Sequence, residues 1–381
     1  MHLRVALVSS LLHPRYGGPP SVVRAHLEAL KGHADVAVFG CSPKGKEAEL
    51  TALFPNANIF AETWPRRWFR GAGLRRVLKG QSDQYDVFHA HMLWDHSTWA
   101  TWRVAKKVGK PFVVTPHGSL SAIWRTRAPH KRFYSWLVLD RLLGDVGALH
   151  ALNKAEADAF RAWGFEGRIA VIPNGLPMTE FEQTHNPEVA WRQWPVIKGR
   201  RVMLYLGRLW WQKGLNILPE AWKEAKLDDD WILLLTGPDY RGYQNKLEAN
   251  IKALGLKSRI MITGPVGGEI KASLFAASEC LILPSYSEAF GMVLLEAIAA
   301  GLPCIFTREC HFPELAANGG GWEIALKKED LVKTLQFVCS RSSKENRASG
   351  KRGQELGYSK YTTEHVGKEL LELYQSLLEN S

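Results

Sequence analysis

Short apolar runs that alternate with helical patterns constrain the fold of this 381-residue chain more than any other sequence feature. Such runs, separated by segments with apolar residues at helical spacing, are typical of parallel strands buried on both faces of a sheet. Ser21 is a suitable N-cap for a first helix carrying Val23, Leu27 and Leu30. The strands predicted in the first half are 3–8, 36–39, 87–90, 112–115, 148–152 and 169–172.

The second half repeats this alternation, and the stretch between the halves predicts a hinge. That stretch, residues 173–195, is rich in proline and polar residues. We therefore predict an α/β protein with doubly wound domains at 1–178 and 179–364, and a C-terminal amphipathic helix at 365–381 that crosses back to the first domain. Such sheets bind ligands at the carboxyl ends of their strands, so a cleft between the domains is the expected site. The strands predicted in this half are 202–206, 232–236, 260–262, 281–283 and 304–306.

Charge and cysteine content narrow the class of protein. The net charge of +11 favours an anionic partner: a phosphorylated substrate, an anionic membrane surface or nucleic acid. We expect no nucleic-acid partner, because no recognition module is apparent.

Five cysteines without a Cys-x-x-Cys pair argue against a disulfide framework and a cysteine zinc site. The chain has no apolar run long enough to span a membrane, and its start reads as a buried strand, so we expect a cytoplasmic protein.

The segment CLILPSYSEAFGMVLLEAIAAGLPCIF carries the strongest chemical pattern. It predicts a buried strand, a short loop and a helix over 290–300. The N–H groups and dipole at a helix N-terminus attract an anion, and the small Gly291 allows close approach. Glu288 precedes this site and Glu296 lies within the helix. A phosphate at the helix tip would leave the two carboxylates to reach hydroxyls on either side, as expected for a nucleoside diphosphate sugar.

This segment resembles the Glu-x7-Glu signature of the retaining GT-B glycosyltransferases, specifically their fourth family, which includes sucrose and lipopolysaccharide-core enzymes. YLGRLWWQKGLNIL is similar to the family's Gly-Arg-x4-Lys-Gly loop, VIPNGLP to its interdomain Pro-Asn-Gly, and YGGPPSVV to its first glycine loop. VVTPHGSL and HAHMLW resemble the acceptor-side loops of its polysaccharide-assembling branch. The resemblance spans nearly the whole chain. It implies a Rossmann-like acceptor domain followed by a Rossmann-like domain for the nucleotide-sugar donor.

The resemblance also implies roles for individual residues. Arg208 and Lys213 would bind the donor diphosphate, His117 would contact the donor sugar near its sixth carbon, and Glu288 completes the catalytic set. A guanidinium fork and an ammonium point charge suit a departing diphosphate. On the acceptor side lie His91, Trp94 and Ser119. The remaining donor-binding residues are Gly17, Gly18, Gly207, Gly237, Pro238, Val266, Phe290, Gly291, Met292, Val293 and Glu296.

No metal ion or cofactor is expected, because the nucleotide sugar is itself a substrate. Retaining transfer in this family is usually drawn as front-face attack, in which the leaving phosphate takes the acceptor proton. The enzyme then positions the reactants and stabilises the leaving-group charge. The acidic run Asp228–Asp230 precedes a predicted strand instead of ending one, so we interpret it as a solvated turn. The histidines show no metal-binding helical spacing.

Two basic stretches interleave cations with aromatic residues, Trp64–Lys79 and Trp124–Trp136. One interpretation is peripheral docking on an anionic membrane that holds a lipid-linked acceptor. The other, equally weighted, is a solvated basic face with partly buried tryptophans.

The predicted activity is hexosyl transfer to a carbohydrate acceptor, lipid-linked in our interpretation, in exopolysaccharide or envelope glycan synthesis. UDP-glucose or a related UDP-hexose is the first expected donor and GDP-mannose the second. Two alternatives stay open. One is a nucleotide-sugar epimerase with the same architecture. The other is a non-catalytic nucleotide-sugar-binding scaffold subunit.

Overall fold

Two compact α/β units make up the chain. The structure is a computed structural model that describes residues 2–13, 18–65, 68–120, 134, 138–177 and 186–379. One unit comprises Met1–Gly175 together with Thr363–Ser381, and the other comprises Leu176–Thr362. The predicted domains end at residues 178 and 364, and in this division the corresponding boundaries fall after residues 175 and 362. The predicted α/β class with two doubly wound parallel sheets is confirmed.

The first unit is built on an eight-stranded sheet in the order β4-β3-β2-β1-β5-β6-β7-β8. All neighbouring strands are parallel except β3 and β4. The order reverses between β1 and β5, which is the switch point of a doubly wound sheet. The strands are β1 Leu3–Ser9, β2 Ala34–Ser42, β3 Asn58–Thr63, β4 Arg70–Gly71, β5 Val87–His91, β6 Phe112–Thr115, β7 Ala148–Ala151 and β8 Ile169–Val171.

Helices cover both faces of this sheet, so its strands are apolar on both sides. In β1, Val5 and Leu7 pack into one core and Ala6 and Val8 into the other, because successive side chains point to opposite faces. The helices of the described residues are α1 Gly18–Leu30, α2 Glu47–Leu53, α3 Leu74–Gly80, α4 His96–Val108, α5 Asp140–Asp145 and α6 Lys154–Trp163, with a 3₁₀ turn at Ser82–Gln84.

The second unit has a six-stranded parallel sheet in the order β11-β10-β9-β12-β13-β14. Its switch point lies between β9 and β12, where Leu204 pairs with Leu281. The strands are β9 Arg201–Leu206, β10 Trp231–Thr236, β11 Ile260–Gly264, β12 Cys280–Leu283, β13 Cys304–Thr307 and β14 Gly321–Ile324.

The helices of the second unit alternate with these strands. Three 3₁₀ turns, Pro195–Ile197, Trp211–Lys213 and Arg308–Cys310, shape its loops. The helices are α7 Glu188–Gln193, α8 Leu218–Ala225, α9 Tyr243–Ala253, α10 Gly268–Ala277, α11 Met292–Ala299, α12 Pro313–Ala317, α13 Lys328–Ser340 and α14 Ser343–Lys360. A last helix, α15 Thr363–Leu378, belongs to the first unit.

Helix α15 packs closely against α1. A Cβ at Gly367 would lie 2.1 Å from the backbone oxygen of Ala29, so only glycine allows this approach. Leu370, Leu373 and Tyr374 are buried in the core on that face of the sheet. No helix in the described ranges is both long and apolar enough to span a bilayer.

Two predictions about the first unit were wrong in detail. Helix α1 begins at Gly18, three positions before the predicted N-cap Ser21, because Pro19 and Pro20 are tolerated in a first helical turn. Strands β3 and β4 were not predicted, and β4 and α3 lie inside the basic stretch Trp64–Lys79. Gly17, Arg66 and Arg67, most of Trp124–Trp136, and residues 178–185 of the predicted hinge lie outside the described residues.

Candidate active site

An ion pair spans the switch point of the second sheet. Lys213 ends the 3₁₀ turn after β9, and Glu288 lies in the loop after β12. The Lys213 ammonium bonds to Glu288 Oε1, which also accepts a hydrogen bond from Ser285 Oγ at 2.7 Å. Both charged side chains are largely buried, with 19% and 13% of their surface exposed. Sequence reasoning named Lys213 and Glu288 separately, but it missed their pairing and the contribution of Ser285.

Backbone contacts hold the two loops of this pair together. The Tyr286 N–H donates to the Gln212 carbonyl at 2.8 Å. Gly214 has a φ of +78°, and a Cβ there would lie 2.1 Å from the carbonyl oxygen of Pro284. Any larger residue would separate the loops, so Gly214 is a structural requirement for placing Lys213. The motif that points to Lys213 contains Gly214, but its sequence does not reveal this contact.

Gly207 and Gly237 make a similar close approach at the ends of β9 and β10. Gly237 has a φ of +145°, and a Cβ on it would lie 1.9 Å from the Gly207 carbonyl oxygen. The Pro238 carbonyl accepts the Leu209 N–H at 2.9 Å. These predicted donor-binding residues therefore form one tight loop junction.

Arg208 is exposed beside this junction. Its guanidinium carbon lies 5.1 Å from the centroid of the Tyr240 ring, a cation–π distance. Its carbonyl accepts a hydrogen bond from the buried Tyr205 hydroxyl at 2.8 Å, which anchors the backbone. Within the described part of the chain the guanidinium forms no ion pair with a carboxylate, and the residue is exposed.

The predicted anion-binding helix is α11, which runs from Met292 to Ala299 instead of over 290–300. Its first N–H groups are partly satisfied, because Met292 donates to the Phe290 carbonyl at 2.9 Å and Leu294 to the Gly291 carbonyl at 2.8 Å. Within the helix, Glu296 accepts a hydrogen bond from Lys271 at 2.6 Å. Lys271 lies on α10 in no recognisable motif, so no sequence signal could have identified this partner.

The other predicted donor residues are spread over several loops and helices. Phe290 is buried against Phe312, and only its backbone can face a ligand. Val266 lies half-buried in the loop after β11, and Val293 is half-buried in the first turn of α11. In the first unit, Gly18 begins α1, and a Cβ on it would meet no atom within 4 Å.

The first unit brings His117 and His91 into contact. His117 lies in the turn after β6 with a φ of +53°, and its Nε2 lies 3.0 Å from Nδ1 of His91 at the end of β5. Their rings stack with centroids 5.2 Å apart. Burial and, secondarily, the charge of His150 lower the pKa of His117 to about 3, so this ring is neutral near pH 7.

Neighbouring loops hold the His117 turn in its left-handed conformation. Trp94 Nε1 donates to the Ser119 carbonyl at 2.9 Å, which joins two predicted acceptor-side residues. The Gly118 N–H donates to the Glu156 carboxylate at 2.6 Å, and burial raises the pKa of Glu156 to about 7. Glu156 was missed in the sequence, although an Asn153-x-x-Glu156 helix start was a visible signal.

A buried histidine cluster lies behind His117. The ring nitrogens of His26, His89 and His91 lie within 4.8 Å of one another, close enough to suggest a metal site. However, His89 bonds to the Tyr374 hydroxyl and to Thr115 Oγ1, each at 2.7 Å. Metal ligation by His89 would break one of these bonds, so the triad does not fit a metal ion.

The acidic run Asp228–Asp230 lies at the opposite end of the second sheet. Its three residues are exposed and precede β10, and Asp229 pairs with Arg259. The run therefore stays away from the carboxyl ends of the strands, where Lys213 and Glu288 meet.

Family comparisons cover both units. Residues 17–175 match the profile described as "Glycosyl transferase 4-like domain", and residues 189–355 match "Glycosyl transferases group 1".

Similar curated proteins are glycosyltransferases. The 2-deoxystreptamine N-acetyl-D-glucosaminyltransferase of Niallia circulans is 26% identical, with 74% of this chain and 72% of that protein covered. The GDP-mannose:cellobiosyl-diphosphopolyprenol alpha-mannosyltransferase of Xanthomonas oryzae is 24% identical over 71% of this chain and 69% of its own length. The lipopolysaccharide glucosyltransferase WaaG of Escherichia coli is 32% identical over 46% of this chain and 48% of its own length.

Among solved structures, HepE of Anabaena in complex with UDP and glucose shares the fold. It superposes with a TM-score of 0.78 at 19% identity, covering 98% of this chain and all of that one.

Proposed function

Because the chain belongs to the GT-B glycosyltransferases that join a 4-like domain to a group 1 domain, we propose that it transfers a hexose from a nucleoside diphosphate sugar to a carbohydrate acceptor. The observation that carries the proposal is the Lys213–Glu288 pair at the switch point of the second sheet. Ligands of doubly wound sheets bind at this position.

The chemistry of this edge suits a departing diphosphate. Lys213 uses one of its three N–H donors on Glu288, which leaves the others for a phosphate oxygen. Arg208 is exposed at the same edge and offers a planar fork of donors. We propose that these two cations neutralise the leaving group without a metal ion. On the front-face scheme the leaving phosphate takes the acceptor proton, and the sugar keeps its anomeric configuration.

Donor and acceptor are proposed from the relatives. HepE binds UDP and glucose, WaaG is a glucosyltransferase, and the Xanthomonas enzyme uses GDP-mannose. We therefore propose a UDP-hexose as the first candidate donor and GDP-mannose as the second. The Xanthomonas enzyme acts on a diphosphopolyprenol-linked sugar, which supports a lipid-linked acceptor in polysaccharide or envelope glycan synthesis.

The first experiment is a thermal-shift panel with UDP, GDP and ADP and their common sugars, without metal ions. A ligand at one hundred times its dissociation constant stabilises the protein by about 2.7 kcal/mol. We expect stabilisation by one nucleotide, and its loss in Lys213→Ala. A panel without any shift at millimolar ligand would contradict the proposed donor site and favour the scaffold alternative.

Transfer itself is tested with the nucleotide sugar that binds and a set of glycolipid acceptors. We expect label from the donor sugar to appear in the acceptor, in the presence of EDTA and with retained configuration. An isomerised donor without transfer would establish the epimerase alternative. Activity that EDTA abolishes would contradict metal independence.

We also propose that the enzyme works in the cytoplasm, docked on an anionic membrane through Trp64–Lys79. Trp64 is 83% exposed, which is unusual for a tryptophan outside a binding surface. The described part of this stretch adds the exposed cations Arg70, Arg75, Arg76 and Lys79. An exposed indole beside several cations is the combination that inserts at a charged lipid interface.

Co-sedimentation with liposomes tests the docking. We expect binding to vesicles with anionic lipid, weakened by 0.5 M salt and by Trp64→Ala, because each juxtamembrane cation contributes roughly 1 kcal/mol. The exposed Lys154→Ala, away from this stretch, serves as the control. Equal binding to neutral and anionic vesicles, or no binding to either kind, would contradict the proposed docking.

A further inference from the structure

The hydrogen bond between His91 and His117 has one donor and one acceptor. Which ring is the donor determines whether the other nitrogen of His117 carries a proton or a lone pair toward a ligand. One of the two nitrogens, 3.0 Å apart, must donate and the other must accept. His91 is fully buried, and its other nitrogen, Nε2, has no partner. His117 is half-buried, and its Nδ1 forms no hydrogen bond with the described residues.

Both rings are neutral, so each carries one proton. Burial lowers the pKa of His91 well below its usual value, with neighbouring histidines adding to the effect. The direction of the bond therefore determines the tautomer of both rings.

The two directions differ in what they leave buried. If His117 Nε2–H donated, His91 would accept at Nδ1 and keep its own proton on Nε2, where no acceptor lies. An unpaired buried N–H is rare in proteins and costs more than an unused lone pair. If His91 Nδ1–H donates instead, Nε2 of His91 is left with only a bare lone pair.

A neighbouring chain of hydrogen bonds has its own fixed direction. The Ile172 carbonyl can only accept, so His150 donates to it from Nε2 at 2.7 Å and accepts at Nδ1 from Thr115 Oγ1 at 2.8 Å. The Thr115 hydroxyl then accepts from His89 Nε2, and His89 Nδ1 accepts from the Tyr374 hydroxyl.

This chain removes His89 as a partner for the rest of the cluster. His89 has neither a spare proton nor a spare lone pair, although its ring stacks on His91 with centroids 4.8 Å apart. His26 is neutral and buried with both nitrogens unpaired, and its ring centroid lies 5.1 Å from that of His91. His26 forms no hydrogen bond with His91, so it favours neither direction. His89 offers no acceptor for a proton on His91 Nε2, which agrees with a bare Nε2 there.

We propose that His91 Nδ1–H donates to His117 Nε2 and thereby fixes His117 as the Nδ1–H tautomer. His117 then presents a neutral N–H donor to the substrate, and His91 is a positioning residue. The second half of this inference rests on the proposed function: the partner of that N–H is an oxygen atom of a substrate. A neutral ring that carries its proton on Nδ1 has no lone pair on that nitrogen, and Nε2 is occupied by His91. His117 therefore does not act as a general base.

The test is the tautomer of His117 in the full chain, measured by two-bond ¹H–¹⁵N correlation on ¹⁵N-histidine-labelled protein at pH 7.5. His117→Gln identifies its signal among the 13 histidines. We expect a protonated Nδ1 and an unprotonated Nε2. The Nε2–H tautomer, or a charged ring, would overturn the proposal whether or not the protein is active.

Two variants of His91 test the positioning. In His91→Asn the amide nitrogen can donate in place of Nδ1, whereas in His91→Asp the carboxylate can only accept. We expect His91→Asn to keep the tautomer of His117 and His91→Asp to reverse it. The kcat/KM of His91→Asp should then lie at least about tenfold below that of His91→Asn, the worth of one hydrogen bond.

The outcomes separate this inference from the proposed function. An equal loss of activity in both variants with an unchanged tautomer would overturn the positioning role. Where a variant does not fold, the spectrum of the unmodified protein still decides the tautomer. The expected tautomer in a protein that transfers no sugar would contradict the proposed function and leave the assignment intact.

Discussion

At the scale of single residues, the Lys213–Glu288 pair is both a structural contact and a candidate catalytic feature. The ammonium and carboxylate lie at the boundary between the core and the ligand-binding edge, with less than a fifth of either side chain exposed. In this position an ion pair holds two loops in register, and a phosphate can still reach the cation. These two roles make different predictions for substitution.

We expect Lys213→Ala to lower kcat by about 100-fold or more, because preorganised charge on a leaving group contributes several kcal/mol to the transition state. The free energy of unfolding should fall by only about 1–3 kcal/mol, since the variant leaves Glu288 bonded to Ser285. Turnover of the identified donor and urea unfolding measure the two effects.

The matched control is Lys154→Ala, which removes the ammonium of an exposed pair with Asp158 on helix α6. Exposed pairs of this kind contribute under about 0.5 kcal/mol, so neither activity nor stability should change measurably. Near-normal turnover in Lys213→Ala would remove that residue from the candidate site.

At the scale of elements, helix α15 is tied to the sheet of the first unit by one buried hydroxyl. Tyr374 donates to His89 at 2.7 Å, and both residues are fully buried. This bond is the first member of the directed chain that ends on the Ile172 carbonyl. Removal of the Tyr374 hydroxyl leaves Nδ1 of His89 as a buried acceptor without a partner.

We expect Tyr374→Phe to lower the free energy of unfolding by about 1–3 kcal/mol, the cost of one unsatisfied buried polar group. Gln375→Ala, next to it on the exposed side of α15, should change it by under about 0.5 kcal/mol. Urea unfolding compares the two. A Tyr374→Phe effect no larger than that of Gln375→Ala would show that the hydroxyl does not stabilise the helix.

The elements also show how far sequence reasoning reaches. Buried parallel strands such as β1, β5 and β10 were predicted within a few residues, because continuous apolar runs have few alternatives. Strand β3 was missed because each of its residues is half-buried, and β14 because only its two end residues are buried. Such strands lack the apolar run that identifies the others.

Sequence reasoning likewise found some residues of the candidate site and missed others. Motif residues such as Lys213 and Glu288 were found because local sequence carries their spacing. The contacts that Ser285 makes with Glu288, Lys271 with Glu296 and Glu156 with Gly118 were not proposed. The last two join elements far apart in the chain, and the first depends on how one loop folds back on itself. The directed chain through His89 and Tyr374 joins residues 285 positions apart, which no local pattern can show.

At the scale of the whole molecule, the buried histidines make stability depend on pH. His26, His89, His91 and His150 are fully buried in the first unit. Burial lowers the pKa of each below its usual value, to about 4 for His150. The unfolded chain, with ordinary values near 6.5, therefore binds more protons than the folded chain as the pH falls below 6.5.

The sign of this linkage means that stability is complete above pH 6.5 and is lost as the pH falls toward 4. A histidine that stays neutral in the folded state removes about 1.4 kcal/mol per pH unit below 6.5, and the contributions of the four have the same sign. Glu156 opposes this, because its raised pKa of about 7 lets the folded state take up a proton over the same range. It returns about 2 kcal/mol at pH 5.5, which offsets the contribution of one to two of the four histidines and leaves a net loss from these five groups.

We therefore expect urea midpoints to fall steeply between pH 6.5 and pH 5. His26→Leu is the decisive variant, because His26 has no hydrogen bond to lose. It should reduce the loss between pH 7.5 and 5.5 by about 1.4 kcal/mol, since one buried titrating group is gone. The control is His2→Leu at the surface, where 56% of the side chain is exposed, and it should leave that loss unchanged. A midpoint constant from pH 7.5 to 5, or equal slopes in both variants, would mean that the cluster is protonated without cost and that its rings are not neutral when folded.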